Sequence, residues 1–508
     1  MISNPHEPST LQNFVTRAAY LVFFYTFALF NWIFYLGRGI QSGSFFKKPT
    51  EQQQLRFAIS RDRFWNLSKQ PIPGFEHAFF KLRNGLKLHY ITNKLRLREG
   101  GGDNNDSGNL FILLHGYPDS SMMWRFLLKE PAIPIDSARI VCLDLPNFGG
   151  SDTFDKPDAT VLEAIAEFTL VIREEHGNAC SEANKDFNTI IIGHDWGCVL
   201  AFRLAAEAPQ LADRFVLMNG PHVRLALANK DRILAASSKI FQQFREAPRQ
   251  NFGCLQKSLN VLRPLIMQIV SFGYIFVFHL LKIMVQYLGS GGNFFFLRAI
   301  ARAEHGRHKD ECDPQEYLAA TLGPGVIEIE SKTASGESYG QSVHPRAESP
   351  SETFWHQTAY YRNGAAFKRW EKSLETIAAL YEIESESSAS ASVSPIRRRS
   401  SSSASSALFT DTYDGALKAP TTILWGENDL AVTRPICLEG ISDYLAAGSE
   451  VMLLPQSGHW VGVEKESRAA LAKIIGTCAA VPAGQELPTY MTKEVEQVYS
   501  GVSSVIRR

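Results

Sequence analysis

The sequence predicts an α/β fold with a mostly parallel sheet and helices on both faces. Three observations carry this. Short apolar runs rich in β-branched residues or leucine recur along the chain, each ends in a loop motif, and helical patterns lie between them. Strands that are apolar throughout, alternating with helices, fit a sheet covered on both sides. In such sheets functional groups gather at the carboxyl ends of the strands.

The elements follow in order. From Ala18 to Leu36 the chain is apolar and uncharged, with Tyr20, Trp32 and Tyr35 near its ends. At about 1.5 Å per residue a helix of that length approaches the roughly 30 Å of a bilayer core. An N-terminal transmembrane helix is therefore expected. Arg17 alone precedes the run, whereas Arg38, Lys47, Lys48, Arg56, Arg61 and Arg63 follow it. That asymmetry predicts a single-pass anchor with the remaining chain in the cytosol, on a membrane such as the endoplasmic reticulum. Asn84-Gly85 between two short apolar runs predicts a hairpin. NLFILLHG, ARIVCLDLP, FNTIIIGHD, RFVLMNGPH and TTILWGEND read as buried strands, with helical patterns after the second and third.

The alternation stops near Val223 and resumes only after Arg369, across a stretch rich in Phe, Tyr and Leu at helical spacing. This predicts an inserted α-helical cap. Within it the polar segment 331–351 reads as a loop. The expected division is 1–45 as membrane anchor and linker, 46–222 as the first part of the core and 223–380 as the cap. A serine-rich disordered insert (381–410), the second part of the core (411–485) and a tail (486–508) complete it.

Composition excludes several classes of function. Lys plus Arg and Asp plus Glu both number 52, so no basic excess supports nucleic-acid binding. The seven cysteines are scattered, with no CxxC pair, against a disulfide framework or structural zinc. No metal or cofactor is implied. Oligomeric state is not legible.

The chemistry lies in four motifs. Gly193-His194-Asp195-Trp196-Gly197 stands between an apolar strand and a helical pattern, the context of a nucleophile elbow. A carboxylate there needs no base to deprotonate it, and attack on an activated carbon would leave an ester on the enzyme. His115-Gly116-Tyr117-Pro118 ends an earlier strand, so the Tyr117 and Trp196 N–H groups are the expected oxyanion hole. Asp429 follows TTILWGEN, and His459 lies in a glycine-flanked loop after VMLLPQSG. The order nucleophile, acid, histidine is that of the α/β-hydrolase fold. His459 is expected to act as base on water, with Asp429 holding its tautomer. His115, His194 and Asp144 are read as loop architecture.

With HGYPDSSMMWR (115–125), DLPNFGGSD (144–152), GHDWG (193–197), WGENDLAV (425–432) and SGHW (457–460), the chain resembles the epoxide hydrolases of the α/β-hydrolase superfamily, membrane-anchored type. The resemblance implies two cap tyrosines that hold and protonate the epoxide oxygen. Tyr361-Arg362-Asn363 fits one motif, and Tyr274 through His279 is similar to the other, with His279 in place of glutamine. Asn147 stands where the resemblance expects glycine.

The implied reaction converts a lipophilic epoxide to a vicinal diol through an Asp195 ester, with Tyr361 and Tyr274 as proton donors and Trp124 and Trp196 lining the pocket. The partners implied are a small-molecule epoxide and, through the N-terminal helix, a lipid bilayer. A haloalkane dehalogenase would share the Asp-His-Asp triad but need no tyrosine pair. A membrane-tethered ligand-binding homologue without activity would not need the triad.

Overall fold

The computed structural model describes residues 10–93, 108–182, 187–308, 311–393, 413–482 and 485–507. Helix α1 (Thr10–Gln41) and α2 (Glu51–Trp65) precede a hairpin of β1 (Phe75–Lys81) and β2 (Lys87–Asn93). Next come β3 (Leu110–Leu114), β4 (Arg139–Leu143), α3 (Thr160–Glu182), β5 (Thr189–His194), α4 (Trp196–Glu207) and β6 (Arg214–Met218). The cap helices are α5 (Val223–Glu246), α6 (Phe252–Ser271), α7 (Gly273–Val277), α8 (Lys282–Glu304), α9 (Pro314–Leu322), α10 (His344–Glu348), α11 (Pro350–Gln357) and α12 (Ala359–Asn363). After them follow α13 (Leu374–Val393), β7 (Thr421–Gly426), α14 (Arg434–Cys437), β8 (Ser449–Leu454), α15 (Lys465–Ala479), α16 (Thr492–Glu496) and β9 (Ser503–Arg507).

The described strands form one sheet in the order β1-β2-β4-β3-β5-β6-β7-β8-β9. The six strands from β4 to β8 are parallel, and the flanking pairs are antiparallel. Successive strand residues point to opposite faces, and the core divides accordingly. Leu110, Ile112 and Leu114 of β3 join one apolar cluster, Phe111 and Leu113 the other. All six residues of β5, β7 and β8 are buried, as a doubly covered sheet requires.

The structure departs from the sequence expectation in four places. The tail is not separate: β9 pairs antiparallel with β8 and completes the sheet. The first part of the expected serine-rich disordered insert is helical, because α13 continues through Val393. The rest of that stretch, 394–410, lies outside the described residues. Segment 331–351 is only partly loop, since α10 closes it and buries Arg346. Finally, α1 is docked along the cap rather than standing apart, with Trp32 Nε1 donating to Met284 O at 3.0 Å.

Cap and core are tied together. Buried Arg346 donates to the carbonyls of Asn147, Gly149 and Ser151. On another side, Gln268 of α6 donates to Ala431 O and accepts from the Thr433 N–H. Trp65 of α2 donates to Ala319 O of α9.

Candidate active site

The site begins with backbone geometry. Asp195 sits between β5 and α4 at φ 50°, ψ −113°, a conformation that non-glycine residues avoid and that only surrounding structure can hold. Tight neighbours allow the turn. A Cβ on Gly193 would lie 2.6 Å from Gly197 O, and one on Gly116 would collide with the Asp195 side chain. Being the residue before α4 puts the carboxylate at the positive end of the helix dipole.

The two carboxylate oxygens of Asp195 have different partners. Oδ1 accepts from the Tyr117 N–H at 2.7 Å, and Oδ2 lies 3.5 Å from His459 Nε2. Burial alone would raise the pKa of Asp195. His459, His194 and the Tyr117 N–H outweigh it and hold the group below its ordinary value. Trp196 N–H belongs to the next residue, at the start of α4.

His459 is fixed from both sides. Nδ1 lies 2.7 Å from Asp429 Oδ2, and His194 Nε2 donates to the His459 carbonyl at 2.9 Å. Burial disfavours its charged form, but Asp429 and Asp195 prevail and its pKa is raised well above the usual value. Asp429 is itself saturated: Oδ1 accepts from the N–H groups of Ala431 and Val432, and Oδ2 from Asn219 Nδ2 at 2.6 Å.

The two cap tyrosines meet at this point. The Tyr274 and Tyr361 rings lie 6.1 Å apart, and Tyr361 packs edge-on against Tyr117 (5.4 Å) and Trp196 (5.1 Å). Burial first and the Asp195 charge next raise the Tyr274 pKa; a hydrogen bond with Tyr361 tempers the rise. Tyr361 is raised by burial, with Tyr274 and Asp195 adding to it. Both therefore stay protonated and able to donate at neutral pH. The neighbouring Tyr360 is committed elsewhere, its hydroxyl donating to Pro146 O at 3.0 Å.

Asp195, Asp429, His459, Tyr117, Trp196, Tyr274 and Tyr361 thus come together. Trp124 does not join them. It is fully buried in the second apolar cluster and packs against Gly462. His279, the departure from the expected glutamine, stacks edge-on with Phe24 of α1 at 5.2 Å. Asn147 adopts φ 73° and bonds His356 O and the Phe154 N–H, so asparagine serves this turn. His115 and Asp144 are loop architecture. His115 Nε2 accepts from the Leu145 N–H, while Asp144 accepts from the N–H groups of Ser121 and Gly150 and pairs with His89.

Three residues were missed by sequence reasoning. Asn219 bridges Asp429 and the Gly426 backbone; its place just after β6 was the available signal. Glu464 accepts twice from the Gly458 N–H, and burial lifts its pKa to about 7. Asp119 accepts from Trp460 Nε1 at 3.0 Å; burial lifts its pKa to about 7, against that hydrogen bond. Among the described residues no cluster of His, Cys, Asp and Glu is arranged to hold a metal ion.

Comparison with known proteins agrees with this architecture. A profile of the family described as alpha/beta hydrolase fold matches residues 109–259. Epoxide hydrolase 1 of Caenorhabditis elegans is 28% identical over 202 residues, 40% of this chain and 41% of that protein. Epoxide hydrolase 3 of Xenopus tropicalis is 27% identical over 168 residues, 33% of this chain and 39% of that protein. Epoxide hydrolase 4 of Mus musculus is 27% identical over 148 residues, 29% of this chain and 35% of that protein. The chain spans about two fifths of the length of these relatives. By its sheet, its elbow and these matches, the chain has the α/β-hydrolase fold, and its sequence relatives include epoxide hydrolases.

Proposed function

We propose that the protein is an epoxide hydrolase that opens a lipophilic epoxide through a covalent Asp195 ester. One observation carries the reading: two protonated cap tyrosines, Tyr274 and Tyr361, adjoin a carboxylate nucleophile. An epoxide needs a nucleophile at carbon and a proton at oxygen, and this pairing supplies both.

Asp195 Oδ2 attacks a ring carbon, the carbon–oxygen bond breaks, and a tyrosine proton passes to the departing oxygen. The ester carbonyl oxygen is then Oδ1, already held by the Tyr117 N–H. Esterification removes the charge of Asp195, one of the two carboxylates that hold the proton on His459. Its pKa falls accordingly, the proton that it gives up restores the tyrosine, and neutral His459 then takes a proton from water as the water oxygen adds to the ester carbon. The Tyr117 N–H stabilises the oxyanion. Collapse passes the second water proton to the departing alkoxide, releases the diol and restores the carboxylate. The aromatic surroundings, Tyr117, Phe278 and Trp196, favour an apolar substrate. Helix α1, whose residues 16–41 are long and apolar enough to cross a membrane, would attach the enzyme to a bilayer.

The test is single-turnover labelling with a styrene-type epoxide, followed by peptide mass analysis, for the wild type and His459→Gln. An adduct on the Asp195 peptide that persists only in the variant is expected. Halide release from a haloalkane without diol formation would replace the reading with a dehalogenase.

A further inference from the structure

Helix α1 makes specific contacts with the cap through the second half of its length. Phe24 and Phe27 pack on Phe276 at 4.8 and 4.9 Å. Buried Asn31 lies against Gly273, Tyr35 packs on Phe296 at 5.5 Å, and Gly39 faces Phe295. The docked stretch from Phe24 to Gly39 occupies roughly 22 Å of helix. Of the apolar segment Thr16–Gln41 only the first eight residues remain free, about 12 Å, against a bilayer core of about 30 Å. A helix docked in this way cannot cross a bilayer and leave the cap in water.

The cap surface next to α1 is also apolar. Ile266, Met267 and Val270 of α6 are exposed just before Gly273, and Leu281 and Ile283 (each 72% exposed) lie just before Met284, which α1 touches. The same segments carry charge of one sign. Residues 247–303 contain six Lys or Arg and no acidic residue, and residues 8–50 contain four and none, in a chain whose total charges balance. Two segments distant in sequence share this bias and pack on one another.

We propose that α1 and the α6–α8 face of the cap together form a monotopic docking surface that lies in the headgroup–acyl boundary of an anionic bilayer. Helix α7 joins this surface to the site: Gly273 and Phe276 touch α1, and Tyr274 meets Tyr361. An apolar substrate partitioned into the bilayer is thereby offered to the cap helix that carries a proton donor. The proposal rests on the bilayer attachment proposed above, and not on the reaction.

The experiment uses the full chain in phosphatidylcholine vesicles with or without phosphatidylserine. Cys254 and Cys312, the partly exposed thiols, are changed to serine. An environment-sensitive fluorophore is then placed at Leu29→Cys, Val270→Cys, Ile283→Cys or, as a remote control, Val498→Cys. Shallow brominated lipids should quench the labels at 29, 270 and 283 alike and spare that at 498. The double variant Lys257→Glu with Arg263→Glu should lose about tenfold in binding to the anionic vesicles at low salt. Deep quenching at 29 with solvent-like signals at 270 and 283 would overturn the docking surface and leave a crossing anchor in place. No quenching at 29 would remove the attachment as well.

Discussion

Asp195 Oδ1 lies 2.7 Å from the Tyr117 backbone nitrogen, and this pairing gives the two oxygens of one carboxylate separate tasks. In the proposed mechanism the bound oxygen becomes the ester carbonyl; the other faces His459 at 3.5 Å. Asp195→Asn keeps the shape and removes the nucleophile. Its epoxide turnover should fall on the order of 10⁴-fold, with an unchanged circular dichroism spectrum. A variant that kept a tenth of the activity of the wild type would end the role assigned to Asp195.

In the proposed mechanism the tyrosines act on the same oxygen and are therefore coupled. Tyr361→Phe and Tyr274→Phe should each lower kcat about 10²-fold, the scale of one positioned proton donor. The double variant should lose less than the product, because a site that lacks one donor has already lost part of what the pair supplies together. Tyr360→Phe, which only frees Pro146 O, should lower stability by about 1 kcal/mol and leave kcat within threefold. Equal losses at 360 and 361 would contradict this assignment.

In the proposed mechanism Asn219 is a positioning residue, because it would act through Asp429. Asn219→Ala should lower kcat roughly tenfold, an effect expected from losing a partner that orients a catalytic group. A purely structural defect would lower Tm and leave the pH profile alone. Here the acidic limb of the kcat profile should move, because Asp429 would be left free to shift against His459, which must be neutral to take a proton from water.

Glu464 gives the protein a measurable pH signature. Its folded pKa is raised to about 7 by burial, above the roughly 4.3 of an unfolded glutamate. The stability linked to that proton is fully present below the unfolded value and is lost as pH rises through about 7. Glu464→Gln should therefore flatten the decline in stability between pH 5 and pH 8 by on the order of 1–2 kcal/mol. Parallel denaturation curves for the variant and wild type at both pH values would refute this.

The parallel strands and the meeting of Asp195, Asp429 and His459 were legible because each of these residues follows an apolar run that could only be a buried strand, as TIII before Asp195 shows. Tyr361 was singled out by its neighbours Arg362 and Asn363, and its ring lies beside Trp196 and Tyr274. Its separation from Tyr360 needed the structure, which alone shows Tyr360 bonded to Pro146. Strand β9 was not legible. Ser503–Arg507 is a short, polar edge segment whose strand character comes from pairing with β8. Trp124 was misplaced because its neighbours in sequence, at the start of the motif, adjoin the site while its side chain turns into the opposite core layer. The docking of α1 was hidden for a similar reason: its apolar character fits a lipid and a protein neighbour equally well.

Arg346 and Gln268 hold the cap to two loops of the core, one at the turn 147–151 and the other just beyond Asp429. A covering element stapled at both flanks cannot swing open as a rigid door. For the proposed reaction, passage of substrate and product would then rely on rotamer changes and small breathing motions among the aromatic rings, and the rate of that breathing would bound turnover from above.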